Sequence, residues 1–203
     1  MLLPFSQAAR YWEPFADDLR RLARVGPHEK LDPWRLAEHF GLRVLEGQSI
    51  LNQIPQEQRF HLNGRGKDDW SGGVYPIPLE DGTLICMLNP FHSRRRNKMT
   101  LMEEISHIHM DHSPSGVSYE AHGLKIRDYH AAQEKEAYGV GSAALLPWRS
   151  FLAALKLGKS VNELAEMFDV SPELIQYRIK ITTGYNLYNK KQRERRKDST
   201  ARA

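Results

Sequence analysis

Apolar residues recur at helical spacing through residues 6–25, where Ala9, Trp12, Phe15, Leu19 and Leu22 share one face. Asp32-Pro33-Trp34 then opens a second, short helix: Asp32 is a capping residue, proline suits the first helical position, and Gly41 ends the helix. Residues 42–45 read as the start of a strand. From 58 to 92 the pattern shortens to that of strands, over 59–62, 73–77 and 84–88. Asn63-Gly64, Gly72-Gly73 and Asp81-Gly82 punctuate them as turns, and Leu79 before the last turn with Thr83-Leu84-Ile85 after it predicts a hairpin. Asn89-Pro90 closes this part. The helical period returns with Leu101, Met102, Ile105 and Ile108, predicting a helix over 99–110 that Pro114-Ser115-Gly116 breaks. Further helices are expected over 129–146, 150–157, 160–168 and 172–180, with Pro147 and Gly158 as breaks.

The last two helices have the spacing of a helix-turn-helix. Ala165 is the small residue at their crossing, Val170-Ser171 supply the turn and the second cap, and Leu164, Phe168, Ile175 and Ile179 fill the shared core. The second helix would offer a nucleic acid Pro172, Glu173, Gln176 and Tyr177, with Arg178 and Lys180 as its only cations. That is a poor phosphate-facing surface, so a helical pair packed on the rest of the chain is the plainer reading.

Charge adds one asymmetry. The 203 residues carry a formal net charge of +4. Residues 189–203 hold seven basic side chains against Glu194 and Asp198, a balance of +5, which leaves −1 for everything before them. The basicity is a tail, expected to be frayed and solvated, and capable of weak, non-specific DNA contact. Cys86 is the only cysteine, which rules out disulfides within the chain and suits a reducing compartment. Met1–Phe5 is too short an apolar run for a signal peptide, and no stretch approaches the roughly 20 apolar residues of a membrane helix. A cytoplasmic protein without a membrane partner is expected.

The chemistry concentrates at Thr100-Leu101-Met102-Glu103-Glu104-Ile105-Ser106-His107. Two ligands at i and i+4 on one helix point the same way, and a glutamate next to the first can activate a water, which is the logic of the His-Glu-x-x-His helix of zincin metallopeptidases. Here the same frame reads Glu103-Glu104-Ile105-Ser106-His107. A further carboxylate must come from a second helix packed closely on the first, and Gly139, Gly141, Ser142, Ala143 and Ala144 give the helix after Glu134-Lys135-Glu136-Ala137 the small surface such packing needs. A rival reading, His107-x-His109-x-Asp111-His112 as a metallo-β-lactamase motif, needs a loop after a buried strand and later histidines. The motif instead begins inside a helix, and only His122 and His130 follow.

The order Arg94-Arg95-Arg96, Thr100-Leu101, Glu104, His107, then Glu134-x-Glu136-Ala137 and Leu145-Leu146-Pro147 resembles the ImmA/IrrE family of metallopeptidases. Asp32-Pro33-Trp34 with Leu36-Ala37 and Gly41, Trp70-Ser71-Gly72 and Asn89-Pro90 extend the resemblance over roughly residues 30–150. It implies an α+β fold: a zincin-like domain over 1–150 with a small, mostly antiparallel sheet packed on helices, a helix-turn-helix-like segment over 151–188, and the basic tail over 189–203. It implies Glu104 as general base, His107 as second metal ligand and Glu134 as carboxylate ligand, with Glu136 as the alternative. Glu103 stands in the first ligand's position, which is the departure; Tyr138 and Val140 replace the family's asparagine and phenylalanine. The implied cofactor is a divalent ion, zinc foremost and manganese as the harder alternative, since a carboxylate is an acceptable zinc ligand at about 2.0–2.2 Å; loss of the ion with the first histidine is the other outcome. The implied activity is an endopeptidase cleaving a regulatory protein such as a helix-turn-helix repressor, in the phage, mobile-element or stress-response settings of such proteins. The alternative is a non-catalytic descendant regulating transcription through its C-terminal part. Tyr119, Tyr129, His122 and His130 all remain open as stabilisers of an oxyanion.

Overall fold

The computed structural model describes residues 4, 6–52, 54–119, 125–182 and 184–201. Its elements run α1 (Gln7–Leu22), α2 (Pro33–His39), β1 (Leu42–Leu45), α3 (Gln48–Leu51), α4 (Gln56–Asn63), β2 (Gly72–Val74), β3 (Leu84–Leu88), α5 (Arg94–His109), β4 (Gly116–Tyr119), β5 (Lys125–Asp128), α6 (Ala131–Leu145), α7 (Trp148–Lys156), α8 (Val161–Phe168), α9 (Pro172–Ile181) and α10 (Tyr185–Ala201). This is the α+β class expected. The chain divides into two compact units, one of residues 32–141 and one of residues 1–31 with 142–203, rather than at 150/151. The reason is that α1 joins its own unit through long-range bonds to the C-terminal helices, which no local pattern announces.

The unit of residues 32–141 is built on a three-stranded sheet of order β1-β3-β2. Leu42 pairs with Leu84 through Leu45 with Met87 in parallel, while Gly72–Val74 runs antiparallel against Cys86–Leu88. The expected turn joins β2 to β3: Gly82, at φ 82°, donates to the Leu79 carbonyl, and Asp81 accepts from the Thr83 N–H at 2.9 Å. β4 and β5 form a separate antiparallel pair. Two of the three strand pairings are therefore antiparallel. Ile50, Ile54, Trp70, Met87 and Ile126 make the core, with Leu45, Tyr75, Ile85 and Phe91 against it. Asp32 caps α2 by accepting from the Trp34 N–H, with Pro33 at its first turn, as its sequence predicts.

Two expectations fail here. Residues 59–62 are not a strand but part of α4, whose start follows Pro55 and whose Gln-Glu-Gln-Arg run is made of good helix formers. Phe60, the apolar residue that a half-buried strand would turn inward, is 74% exposed. The β4–β5 pair was not anticipated at all. A Cβ on Gly73 would sit 2.8 Å from the Ile126 side chain, so β5 packs on β2 at a distance only glycine allows.

In the other unit, α1 buries Ala9, Trp12, Ala16 and Leu19, capped by Ser6. Phe15 is only partly buried and Leu22 is 38% exposed, whereas Glu13 and Arg20 are buried in their stead. Arg20 donates to the carbonyls of Ala144, Gly26 and Glu29. Glu13 accepts from the Trp148 N–H at 3.1 Å and from Arg178 at 2.6 Å. Ser160 and Glu163 form a reciprocal capping box on α8, and Asp169 in the left-handed conformation turns the chain into α9, itself capped by Ser171. Leu164, Ala165, Ile175 and Ile179 are buried as expected of a helical pair, and Phe168 is partly buried, its ring 6.1 Å from that of Phe151. The region expected to fray is helical in α10. Gln192 donates to the Gly158 and Lys159 carbonyls and Arg195 pairs with Glu163 at 2.5 Å, so one helix face is docked.

Candidate metal centre

The start of α5 is fixed by polar contacts. Ser93 caps it by accepting from the Arg96 N–H, and Asn97 donates to the Asn89 carbonyl at 3.0 Å, while Asn89 donates to that of Trp70 at 2.7 Å. Two arginines of the run have partners: the Arg94 guanidinium lies 3.8 Å over the Trp34 ring and 3.5 Å from Glu46, and Arg96 pairs with Asp68. α5 buries Leu101, Met102 and Ile105. Its other flank meets α6 at Gly141, where an added Cβ would lie 3.1 Å from the Met102 backbone. Of the small residues read from the sequence, Gly141 is the one that lets the two helices touch at this point.

That approach sets His107 opposite Glu134. His107 is 1% exposed, and its Nε2 lies 3.6 Å from the half-exposed Glu134 carboxylate with no hydrogen-bond partner. The imidazole stacks on Tyr129, centroids 3.7 Å apart and planes 18° from parallel. Its Nδ1 is 3.0 Å from Nδ1 of His112, whose Nε2 is 3.4 Å from Glu136. Burial holds His112 below the ordinary histidine range.

The two adjacent carboxyls are partly buried, and one oxygen of Glu104 is wholly so. Glu104 accepts from the Val74 N–H of β2, its Oε2 is buried and unpartnered, and its pKa is pushed up to about 8, first by burial and then by the Glu134 charge, with Arg127 opposing. Glu103 is held well above the carboxylate range by burial, then by Glu104 and Glu134. Glu103, Glu104 and Glu134 therefore sense one another's charge. Arg127, on β5, donates to the Tyr129 hydroxyl, and burial raises that phenol.

The residues fit a divalent ion at two positions. Donors bonded at about 2.0–2.2 Å to one tetrahedral ion stand about 3.4 Å apart, close to the 3.6 Å between His107 Nε2 and Glu134, and the unpartnered imidazole nitrogen faces that point. Among the described residues, no group of three or more His, Cys, Asp or Glu side chains is arranged to hold an ion, so a third position is not made up by Glu103 as it stands. Glu136 and His112 pair with each other instead. His109 is turned away, edge-on to Phe40 at 6.1 Å. Of the open oxyanion candidates, Tyr129 is at the centre, His130 lies beside the start of α6 with its ring exposed, and His122 and the Tyr119 side chain fall outside the described residues. Arg127 and the Glu136–His112 contact escaped the sequence reading. The histidine five residues after His107 was a visible signal for the latter; Arg127 had none.

A family model described as peptidase M78, IrrE N-terminal-like domain, matches residues 63–180. No curated protein matches the chain. Among solved structures, a Mycobacterium tuberculosis transcriptional regulator superposes with a TM-score of 0.48 at 16% identity, over 87% of this chain and 52% of that one, so the chain spans about half the regulator's length. No helix among the described residues is long and apolar enough to cross a membrane. With more than half of its length matched, and with Glu104, His107 and Glu134 inside the matched span, the chain belongs to the IrrE N-terminal-like family of M78 peptidases.

Proposed function

We propose that this protein is a cytoplasmic, metal-dependent endopeptidase that cleaves a regulatory protein such as a helix-turn-helix repressor. The observation that carries the reading is the His107–Glu134 pair, spaced as two ligands of one ion, with the buried Glu104 carboxyl alongside. His107 and Glu134 would hold the ion, zinc foremost or manganese, and Glu103 would have to turn towards them to stand in for a histidine. When bound, such an ion polarises the peptide carbonyl and lowers the cost of its negative charge. Glu104 takes the proton of the attacking water and passes it to the leaving amine. A second carboxylate among the ligands makes the site more anionic and favours harder ions. The lone, buried Cys86 supports a reducing compartment.

The test is elemental analysis of protein purified without chelator, followed by incubation with repressors encoded beside its gene. Stoichiometric metal that disappears in His107→Ala and Glu134→Ala, with cleavage lost in Glu104→Gln while metal stays, supports the enzyme. Protein that remains metal-free and inert in zinc or manganese refutes it.

The carboxylate at 103 and the incomplete donor set favour a second reading, a non-catalytic regulator that contacts nucleic acid. Arg178 cannot serve it, being 0% exposed and bound to Glu13. α10 can: Asn186, Lys190, Arg193 and Lys197 follow helical spacing along the face opposite its docked side, and all four are exposed. That stripe suits a phosphate backbone, through non-specific contacts.

A further inference from the structure

We infer that Glu136 and His112 are positioning residues that fix the proton of His107 on Nδ1, leaving the Nε2 lone pair free for an ion. The inference rests on the metal reading for its purpose but not for its test. Two neutral imidazole nitrogens 3.0 Å apart hold one proton between them, so one of the two Nδ1 atoms donates and the other accepts. The carboxylate of Glu136 only accepts, and it lies 3.4 Å from His112 Nε2, which therefore carries that ring's proton. His112 Nδ1 is then an acceptor. It takes the Nδ1–H of His107, and Nε2 of His107 is bare.

This order opposes what His107 would do alone. Glu134, 3.6 Å from Nε2, would by itself draw the proton to that nitrogen and close the position to a cation. Stacking on Tyr129 fixes the plane of the ring but not its tautomer. His112 supplies the missing preference, and its side chain is only 7% exposed, so water does not compete freely for the contact. Nε2 of His107 itself has no hydrogen-bond partner among the described residues, so the Nδ1 contact is the one that can set the tautomer. Outer contacts of this kind orient ligands, and their loss typically lowers metal affinity about 10–100-fold.

The experiment uses the full-length, metal-free protein labelled with 15N-histidine, whose nitrogen shifts report the tautomer of each ring, and zinc alone as titrant. Wild-type protein is expected to show His107 protonated on Nδ1 and His112 on Nε2. His112→Phe keeps a ring but no acceptor; the His107 proton is expected to move to Nε2, and zinc affinity to fall about 10–100-fold. His112→Asn places a carbonyl oxygen near the lost Nδ1, and is expected to restore both readouts in large part. A wild-type His107 protonated on Nε2, or one unmoved in His112→Phe, overturns the inference, and the wild-type spectrum alone decides if that variant does not fold. Tautomers that shift as described in a protein that takes up no zinc would uphold the relay and sink the metal reading.

Discussion

Replacing Arg178 with methionine tests whether α9 is held to its unit by a buried charge or left free for nucleic acid. Arg178 donates to Glu13 at 2.6 Å and to the Leu146 carbonyl at 2.9 Å, while its Nε and Nη1 find no partner among the described residues. Bonds to charged groups contribute about 1.5–3 kcal/mol each, so the gross loss is about 3–6 kcal/mol, offset by release of two unsatisfied donors at about 1–3 kcal/mol each. What tips the balance is Glu13, 7% exposed, whose carboxylate would keep only the Trp148 N–H. Stranding one member of a buried pair costs about 3–5 kcal/mol. Methionine fills the volume of the arginine stem, so the low end, about 3 kcal/mol, is expected. At about 2–4 °C per kcal/mol for a chain of this size, the melting temperature should fall by roughly 6–12 °C. Adding Glu13→Gln removes the stranded charge, and the double variant should recover about 2 kcal/mol of the loss, because replacing a whole buried pair is often near neutral. Urea and thermal unfolding followed by circular dichroism measure both variants, with DNA affinity measured in parallel where the protein is folded. A single variant within about 1 kcal/mol of wild type, or one that keeps its stability and loses DNA binding, would refute the assignment.

The remaining predictions concern the site and α10. Glu103→His should raise zinc affinity, read by competition with a chromophoric chelator, if the donor set is a decayed histidine site; a fall would mean that the native site is tuned to carboxylate. Gly141→Val should open the α5–α6 contact and destabilise by about 1–3 kcal/mol in urea titration, because its Cβ would meet the Met102 backbone at 3.1 Å, whereas Gly141→Ala should sit near zero, its gain in helix propensity offsetting the crowding. The Glu163 carboxyl is held at about 2, first by the hydrogen bond from Arg195 and then by Ser160. A carboxyl depressed in this way stabilises above the unfolded value and loses that contribution as pH falls from about 4.5 towards 2. α10 should therefore undock across that window, seen as faster proteolysis of its end, and Glu163→Gln should remove the dependence. Charge reversal at Lys190, Arg193 and Lys197 together should flatten the salt dependence of DNA binding by a log–log slope of about 2.7, measured by fluorescence anisotropy; an unchanged slope would exclude the stripe.

Much of the scaffold was legible because its signals are local. Asp32-Pro33, Ser160 with Glu163, and Ser171-Pro172 are capping arrangements whose donors and acceptors lie within one turn, and the structure forms each of them. Asp81-Gly82 was equally plain, since a positive φ at residue 82 suits glycine. The strand misread at 59–62 shows the limit of the same reasoning: four residues alternate by chance, while the backbone hydrogen bonds that begin with Arg59 N–H to the Pro55 carbonyl make them part of a helix. β4 and β5 failed in the opposite direction, since their pairing and their seat on Gly73 are non-local.

The candidate site divides along the same line. Sequence alone determined that Glu103, Glu104 and His107 share a helix, that Glu134 and Glu136 stand near the start of the helix carrying the small residues, and that the basic charge gathers over residues 189–203. Those properties depend on spacing within one element. The tertiary structure decided what those groups experience: that Glu134 rather than Glu136 faces His107, that His112 takes up Glu136, that Tyr129 lies flat on the imidazole, and that Arg178 is withdrawn into its unit to meet Glu13. Each depends on distances between elements remote in the chain, and on the burial that, with the Glu134 charge, raises a carboxyl such as Glu104 to about 8.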